Sequence, residues 1–367
     1  MTFFLIIPTL TIGGAESICM KTCVELKKNG VDVQLITFSD KVDYIVPSGI
    51  LLTKFVGFIG FCKYLRFCYV NRFNGIFISY MERANLYNVL SYIISGVRKV
   101  CLTVHTAPRT GFKNRKLAKQ IYIHILYKIC GYLNLKVLTV SRGIASELNS
   151  LYGINNVKVL YNFIDVEEYS DVINFRTCNN NVSSKCLSLL FVGRLAPVKG
   201  CDVLLESLKS CTERKDITLT IVGDGPMRKT YEIFVKNEGL SEQVRFVGAV
   251  NDVKTYMLNA QYLVIPSYAE GFGMVVLEGL LSGCNIIYSE CDFGPKELMT
   301  RYFFFAKSYS FFDPSISRSK SINDLTYTLS VLPEYSFNLK TYEHVVCQIR
   351  QEFSADIIIK KLKLMVD

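Results

Sequence analysis

The chain has 367 residues, half of them hydrophobic and a fifth charged, and a net charge of +10. That length is ample for two buried cores, and that balance excludes a disordered chain. No stretch supplies the ~18 apolar residues of a spanning helix, and the uncharged opening from Met1 to Ala15 follows no basic residue and is broken by Pro8 and Gly13-Gly14, so neither a membrane span nor a cleaved signal peptide is expected.

In chain order, Thr2 to Ile7 is an apolar run ending in Pro8. Gly13-Gly14 follows, a helical pattern from Ala15 to Asn29 closes on Gly30, and Val31 to Phe38 reads as the next strand. Strand, glycine turn, helix, strand is a βαβ unit, and such continuous apolar runs are those of buried parallel strands. Ile76-Phe77-Ile78, Val100 to Val104 and Val137 to Val140 continue the rhythm into a doubly wound first domain over residues 1–173. The polar stretch 174–185, with three consecutive Asn, reads as a linker. A second series then spans 186–349. Its strands are Leu187 to Val192, Leu219 to Val222, Arg245 to Val247, Leu263 to Ile265 and Asn285 to Tyr288. Tyr342 to Met365 looks helical and is expected to pack back, from about residue 350 onward, on the first domain. The fold class is therefore α/β, with two Rossmann-like domains facing a ligand cleft.

The thirteen cysteines are odd in number and scattered, without a Cys-x-x-Cys. Neither a disulfide framework nor a zinc site has that distribution, so free thiols in a reducing cytoplasm are expected. Charge is unevenly spread. Residues 1–184 hold 21 Lys and Arg against 11 Asp and Glu, and the remainder holds 21 of each. The first half thus carries the whole excess and points to an anionic partner: nucleic acid, membrane surface or phosphorylated substrate.

Four loops carry candidate chemistry. Gly13-Gly14-Ala15-Glu16, between strand and helix, lets a phosphate or sugar approach bare backbone, or is a tight turn. Arg194 and Lys199 follow the strand ending in Phe191-Val192-Gly193, where two cations can neutralise a diphosphate or lie in a solvated basic loop. Pro266-Ser267-Tyr268-Ala269-Glu270-Gly271-Phe272-Gly273-Met274 leads into a helix bearing Glu278. Loop amides beside two carboxylates suit a ligand that combines phosphates and hydroxyls. Gly294-Pro295-Lys296-Glu297 alone is a turn. His105 ends a strand, as a structural hydrogen-bonder or a catalytic group. Asn162, in Tyr161-Asn162-Phe163-Ile164-Asp165, either reaches a hydroxyl or belongs to an Asx turn. With no Asp-x-Asp in the chain, no bound metal or other cofactor is expected.

Together these residues resemble the retaining glycosyltransferases of family 4, of the bacterial surface-polysaccharide type and the two-Rossmann GT-B fold. The resemblance runs from Gly13-Gly14 to Glu297 and is densest from Phe191 onward. It implies that Arg194 and Lys199 bind a donor diphosphate. Glu270 is implied to contact the transferred sugar, and Glu278 the ribose. The amides of Phe272, Gly273 and Met274 would add donor hydrogen bonds, Gly13-Gly14 would lie by the phosphates and the acceptor, and His105 would lie by the donor sugar. Asn162 is the weakest assignment. Cys284-Asn285 and Tyr288 depart from the family's usual residues, as core and loop variation. The implied reaction moves a sugar, with retention, from a nucleoside diphosphate to a hydroxyl, and no residue reads the base. A uridine diphosphate sugar is the first expectation and guanosine diphosphate mannose the second.

The basic excess has its own place. Phe55 to Phe73 mixes aromatics with Lys63, Arg66 and Arg72, and Lys113, Arg115, Lys116 and Lys119 open a helix with Leu117, Ile121, Ile125 and Ile129. Such helices suit anionic lipid, or present a solvated basic face over an apolar one; no nucleic-acid-binding module accompanies them. With the resemblance, this implies a cytoplasmic enzyme, peripheral at the inner membrane face, that extends a polyprenyl-diphosphate-linked oligosaccharide. An O-antigen, capsule or exopolysaccharide pathway, or lipopolysaccharide biosynthesis, would suit it. A nucleotide-sugar epimerase and a non-catalytic partner of another transferase are the alternatives; intact Glu270, Glu278, Arg194 and Lys199 argue against the second.

Overall fold

The computed structural model describes residues 1–11, 13–111, 117–179, 186–302 and 307–366. The chain divides into two compact units, Met1–Phe163 with Ala355–Asp367, and Ile164–Ser354.

In unit one the order is β1 (Thr2–Ile7), α1 (Gly14–Lys28), β2 (Asp32–Thr37), β3 (Leu51–Lys54), α2 (Gly57–Asn71), β4 (Gly75–Tyr80), α3 (Glu82–Ser95), β5 (Lys99–Val104), α4 (Pro108–Gly111), α5 (Leu117–Tyr132), β6 (Lys136–Thr139), α6 (Arg142–Tyr152) and β7 (Val157–Val159). The strands form one parallel sheet in the order β3-β2-β1-β4-β5-β6-β7. β1 and β4 are central and read as uninterrupted apolar runs because helices cover both sides. Leu5, Ile6 and Ile7 have no accessible surface, and burying each such side chain contributes roughly 1.5–3 kcal/mol. The β1-to-β2 and β2-to-β3 steps run toward the β3 edge, the second without a helix between the strands; β3-to-β4, β4-to-β5, β5-to-β6 and β6-to-β7 all step the other way. Right-handed crossovers therefore put α1 on one face of the sheet and α2, α3, α5 and α6 on the other.

Unit two begins with a single 3-10 turn at Glu167–Tyr169 and continues with α7 (Val172–Asn179), β8 (Leu187–Val192), α8 (Cys201–Ser210), β9 (Ile217–Val222), α9 (Arg228–Asn237), β10 (Val244–Gly248), α10 (Lys254–Leu258), β11 (Tyr262–Ile265), α11 (Met274–Leu281), β12 (Asn285–Ser289), α12 (Pro295–Tyr302), β13 (Ser308–Phe311), α13 (Arg318–Ser330) and α14 (Leu339–Phe353). Its parallel sheet has the order β10-β9-β8-β11-β12-β13. The last helix, α15 (Ala355–Val366), belongs to unit one and packs on α1. Two parallel-sheet α/β units of this kind are the expected fold class.

Three sequence readings need correction. Residues 174–179 are not linker but lie in α7, and residues 180–185 fall outside the described residues. The polar composition hides a buried anchor, Arg176, which is 6% exposed. Its Nε donates to the Ser282 carbonyl at 3.0 Å, and its Nη2 donates to the Met257, Ala260 and Ser282 carbonyls at 2.8–2.9 Å. Those carbonyls lie at the C-terminal ends of α10 and α11, where a cation is favoured. Second, the helical pattern from Tyr342 is two helices, α14 and α15, broken at Ser354, whose backbone is extended. Third, the units divide between Phe163 and Ile164, ahead of residue 173. All thirteen cysteines are free and nine are buried.

Candidate functional site

The order of the second sheet reverses between β8 and β11, which leave their C-terminal ends as neighbours around a topological switch point. Arg194 and Lys199 follow β8, and Glu270 and Glu278 follow β11, so residues more than seventy positions apart converge there. Lys199 Nζ donates to both oxygens of Glu270, at 2.7 and 2.8 Å. Ser267, 2% exposed, donates from Oγ to Glu270 Oε1 at 2.6 Å, and its own carbonyl accepts from Ser289 Oγ at 2.5 Å. The Glu270 side chain is 9% exposed and that of Lys199 29%. A nearly buried carboxylate that accepts three hydrogen bonds from two donor groups is held in one orientation.

The backbone explains the convergence. The Tyr268 N–H donates to the Val198 carbonyl at 2.9 Å and ties the two loops together. Gly200 has φ +67°, and a Cβ there would collide with the Pro266 carbonyl. Gly294 has φ +75°, and a Cβ there would lie 2.9 Å from Glu270 Cβ and 3.0 Å from the Phe272 carbonyl oxygen. The Gly294-Pro295 turn is thus the wall behind Glu270. Arg194 is exposed and has no ion pair among the described residues.

Glu278 is half-buried, five residues into α11, with Tyr169 close by: burial raises the Tyr169 hydroxyl above the usual tyrosine range, and the Glu278 charge adds to this. The N–H groups of Gly273 and Met274 belong to the cap and first turn of α11, which have no acceptor within the helix. The Phe272 side chain is buried, its ring centroid 5.7 Å from that of Phe353. Cys291 is fully buried beside Glu270, and burial pushes its thiol up to about 12.

The remaining candidates lie in unit one. Gly13 caps α1 with extended backbone, and the Glu16 carboxyl folds into the space a Gly13 side chain would fill. Glu16 is 7% exposed, and burial raises its pKa. His105 follows β5, its Nε2 3.0 Å from Thr103 Oγ1. That hydroxyl donates its only hydrogen to the Ser79 carbonyl at 2.8 Å, so Nε2–H is the donor to Thr103. Burial lowers the His105 pKa to about 4, which keeps the ring neutral at neutral pH, and Tyr80 stacks on it at 5.6 Å. Asn162 is half-buried after β7, and Asp165 accepts from the Glu167 N–H at 3.0 Å, an Asx turn. Lys113, Arg115 and Lys116 lie outside the described residues. Sequence reasoning gave Ser267 and Tyr169 no role. The first had a signal, a serine three residues before a carboxylate in a glycine loop; the second had none.

Residues 179–315 match the family profile described as glycosyl transferases group 1, and residues 12–168 match Glycosyltransferase Family 4. The chain belongs to the family 4 glycosyltransferases. The chain is 33% identical over 177 residues to an uncharacterized glycosyltransferase of Methanocaldococcus jannaschii, covering 46% of this chain and 45% of that protein, so the match spans less than half of that relative. Over 309 residues it is 24% identical to the N-acetylgalactosamine-N,N'-diacetylbacillosaminyl-diphospho-undecaprenol 4-alpha-N-acetylgalactosaminyltransferase of Campylobacter jejuni, covering 79% of this chain and 81% of that one. Its fold is that of Anabaena HepE in complex with UDP, with a TM-score of 0.76 at 16% identity over 99% of this chain and 98% of HepE. It also resembles WaaG, a glycosyltransferase involved in lipopolysaccharide biosynthesis, with a TM-score of 0.71 at 16% identity over 100% and 99% of the two chains.

Proposed function

We propose that this transferase moves a hexosyl or N-acetylhexosaminyl group from a nucleoside diphosphate sugar, a uridine diphosphate sugar first, to a hydroxyl of a growing polyprenyl-diphosphate-linked glycan of a surface polysaccharide. Configuration at the anomeric carbon is retained. The observation that carries the reading is the Lys199–Glu270 pair at the switch point, with Lys199 on both carboxylate oxygens. A diphosphate is a stronger anionic partner for Lys199 than one carboxylate, and exposed Arg194, with no ion pair among the described residues, can join it. Drawing Lys199 toward phosphate frees the Glu270 oxygens to accept from sugar hydroxyls while Ser267 holds the carboxylate in place. Glu278 takes the ribose hydroxyls, and the Gly273 and Met274 amides assist at the phosphates.

In the reaction the acceptor oxygen bonds to the anomeric carbon as that carbon's bond to the diphosphate oxygen breaks. The acceptor proton passes to the departing phosphate on the same face. Lys199 and Arg194 stabilise the charge that develops there, the role a metal takes in other transferases. Within unit one, the neutral His105 ring has an Nδ1 that can accept from a hydroxyl, and Gly13-Gly14 leaves bare backbone open to a ligand. The UDP bound by HepE supports the nucleotide, and the name of the Campylobacter relative supports the lipid-linked acceptor.

The test is thermal stabilisation by uridine, guanosine and adenosine diphosphates, on the wild type and on Lys199→Ala. One nucleotide should raise the melting temperature, and the variant should lose the shift. Turnover of the matching sugar should then persist in a chelator and give a product of unchanged anomeric configuration. Absence of any shift at millimolar nucleotide sinks the donor assignment, and an inverted product sinks retention.

A further inference from the structure

Unit one displays an apolar layer that its core does not use. α2, α3 and α5 share one face of the sheet, with α3 packed against both neighbours and Tyr122 Oη of α5 donating to the Glu82 carbonyl of α3 at 2.6 Å. Ten of the 22 exposed large hydrophobic side chains among the described residues lie on these three helices. On α5 the core face is Ile123, Leu126, Tyr127 and Cys130, whereas Leu117, Ile121 and Ile125 are 71%, 50% and 52% exposed. The apolar stripe legible in the sequence therefore points outward. α2 adds Phe58, Ile59, Tyr69 and Val70, and α3 adds Ile93 and Ile94.

Cations interleave these side chains. Lys63 and Arg66 on α2, Arg83 on α3, and Lys119 and Lys128 on α5 are all exposed. From Phe55 to Tyr132 the chain has twelve Lys and Arg and a single acid, Glu82. That charge selects among occupants. A second copy of this face would set like charge against like, and nucleic acid would leave the isoleucines unused. An anionic bilayer takes both, the aliphatic tips entering the interface and the cations meeting phosphates.

We infer that the α2–α3–α5 face of unit one rests on an anionic lipid bilayer and holds the enzyme at the surface that carries its acceptor. The inference rests on the lipid-linked acceptor proposed above, and its test is independent of turnover. The full chain is sedimented with phosphatidylcholine vesicles and with vesicles containing roughly a third phosphatidylglycerol, in about 0.1 M and about 0.5 M salt. Three proteins are compared: wild type, the double variant Ile121→Glu/Ile125→Glu, and the control Ile233→Glu on α9, whose side chain is 60% exposed. The wild type and control should bind the anionic vesicles and be released by salt. The double variant should partition about tenfold less, with an unchanged melting temperature and unchanged nucleotide-induced shift. Equal binding to neutral vesicles, binding to neither, or binding unaffected by the double variant overturns the inference. So does a dimer, seen by light scattering, that the double variant dissolves. Nucleotide-dependent stabilisation without vesicle binding defeats this surface and leaves the transferase reading standing; vesicle binding without it does the reverse.

Discussion

Glu270 accepts from Lys199 on both oxygens and from Ser267 on one, and the two donors differ in what they do for it. In the proposed reaction the lysine exchanges its partner for phosphate, while the buried serine stays on the carboxylate. Ser267→Ala removes one bond to a charged acceptor, worth about 1.5–3 kcal/mol. Steady-state kinetics should show turnover reduced by about ten- to a hundredfold, with the nucleotide-induced melting shift kept, because Lys199 and Arg194 are intact. Loss of that shift would mean that Ser267 shapes the phosphate site instead. His105 supplies a pH dependence. Its folded pKa of about 4 lies below the ordinary 6.5, so the unfolded chain takes up the proton first as the pH falls. The stabilisation is complete above about pH 6.5 and declines toward about pH 4, by on the order of 3 kcal/mol. Urea titrations of His105→Gln should show a flatter decline across that window. Arg194, Lys199, Glu270 and Glu278 were all legible as residues, because charge and hydroxyl chemistry is written in side-chain type. Their pairing was not, since Lys199 and Glu270 meet only when the chain ends of β8 and β11 are neighbours.

Arg176 decides the start of unit two at the scale of elements. It brings one guanidinium to the carbonyl ends of α10 and α11, with no carboxylate partner among the described residues. Replacing it with Met takes the donor from the Ser282 carbonyl and leaves that of Ala260 only a long thiol contact, while that of Met257 keeps the Ala260 N–H and the Cys284 thiol; the expected loss is about 2–4 kcal/mol by denaturant unfolding. An effect below about 1 kcal/mol would mean water or neighbouring groups satisfy those carbonyls. The inner strands were readable from their apolar runs because both faces are buried. β3, β7 and β13 were not, since each lies at a sheet edge or is half exposed, and their residues alternate too weakly to mark a strand. The α7 helix was misread for a related reason. Composition reports average polarity, while one buried arginine reports where the helix is anchored.

For the whole molecule the charge distribution matters more than its sum. The basic excess lies in the first half of the chain, and five exposed cations stand on α2, α3 and α5, so electrostatic attraction to an anionic acceptor surface should be strongly screened. The kcat/KM for a lipid-linked acceptor in vesicles should fall steeply with ionic strength. The value for a short water-soluble acceptor should change little over the same range. Equal salt dependence for both would move the charge effect to the donor site.

The sequence by itself determined two parallel-sheet α/β units and the family, and it named the candidate loops. Apolar period, glycine turns and short charged motifs are local, and each can be read without knowing what lies across the fold. Only the tertiary structure decided that β8 and β11 are neighbours, that Ser267 and Gly294 set the position of Glu270, and that the isoleucines of α5 face outward while Tyr127 and Leu126 face the core. A helical stripe states that two faces differ; which of them is buried depends on the sheet and the adjacent helices against which it packs.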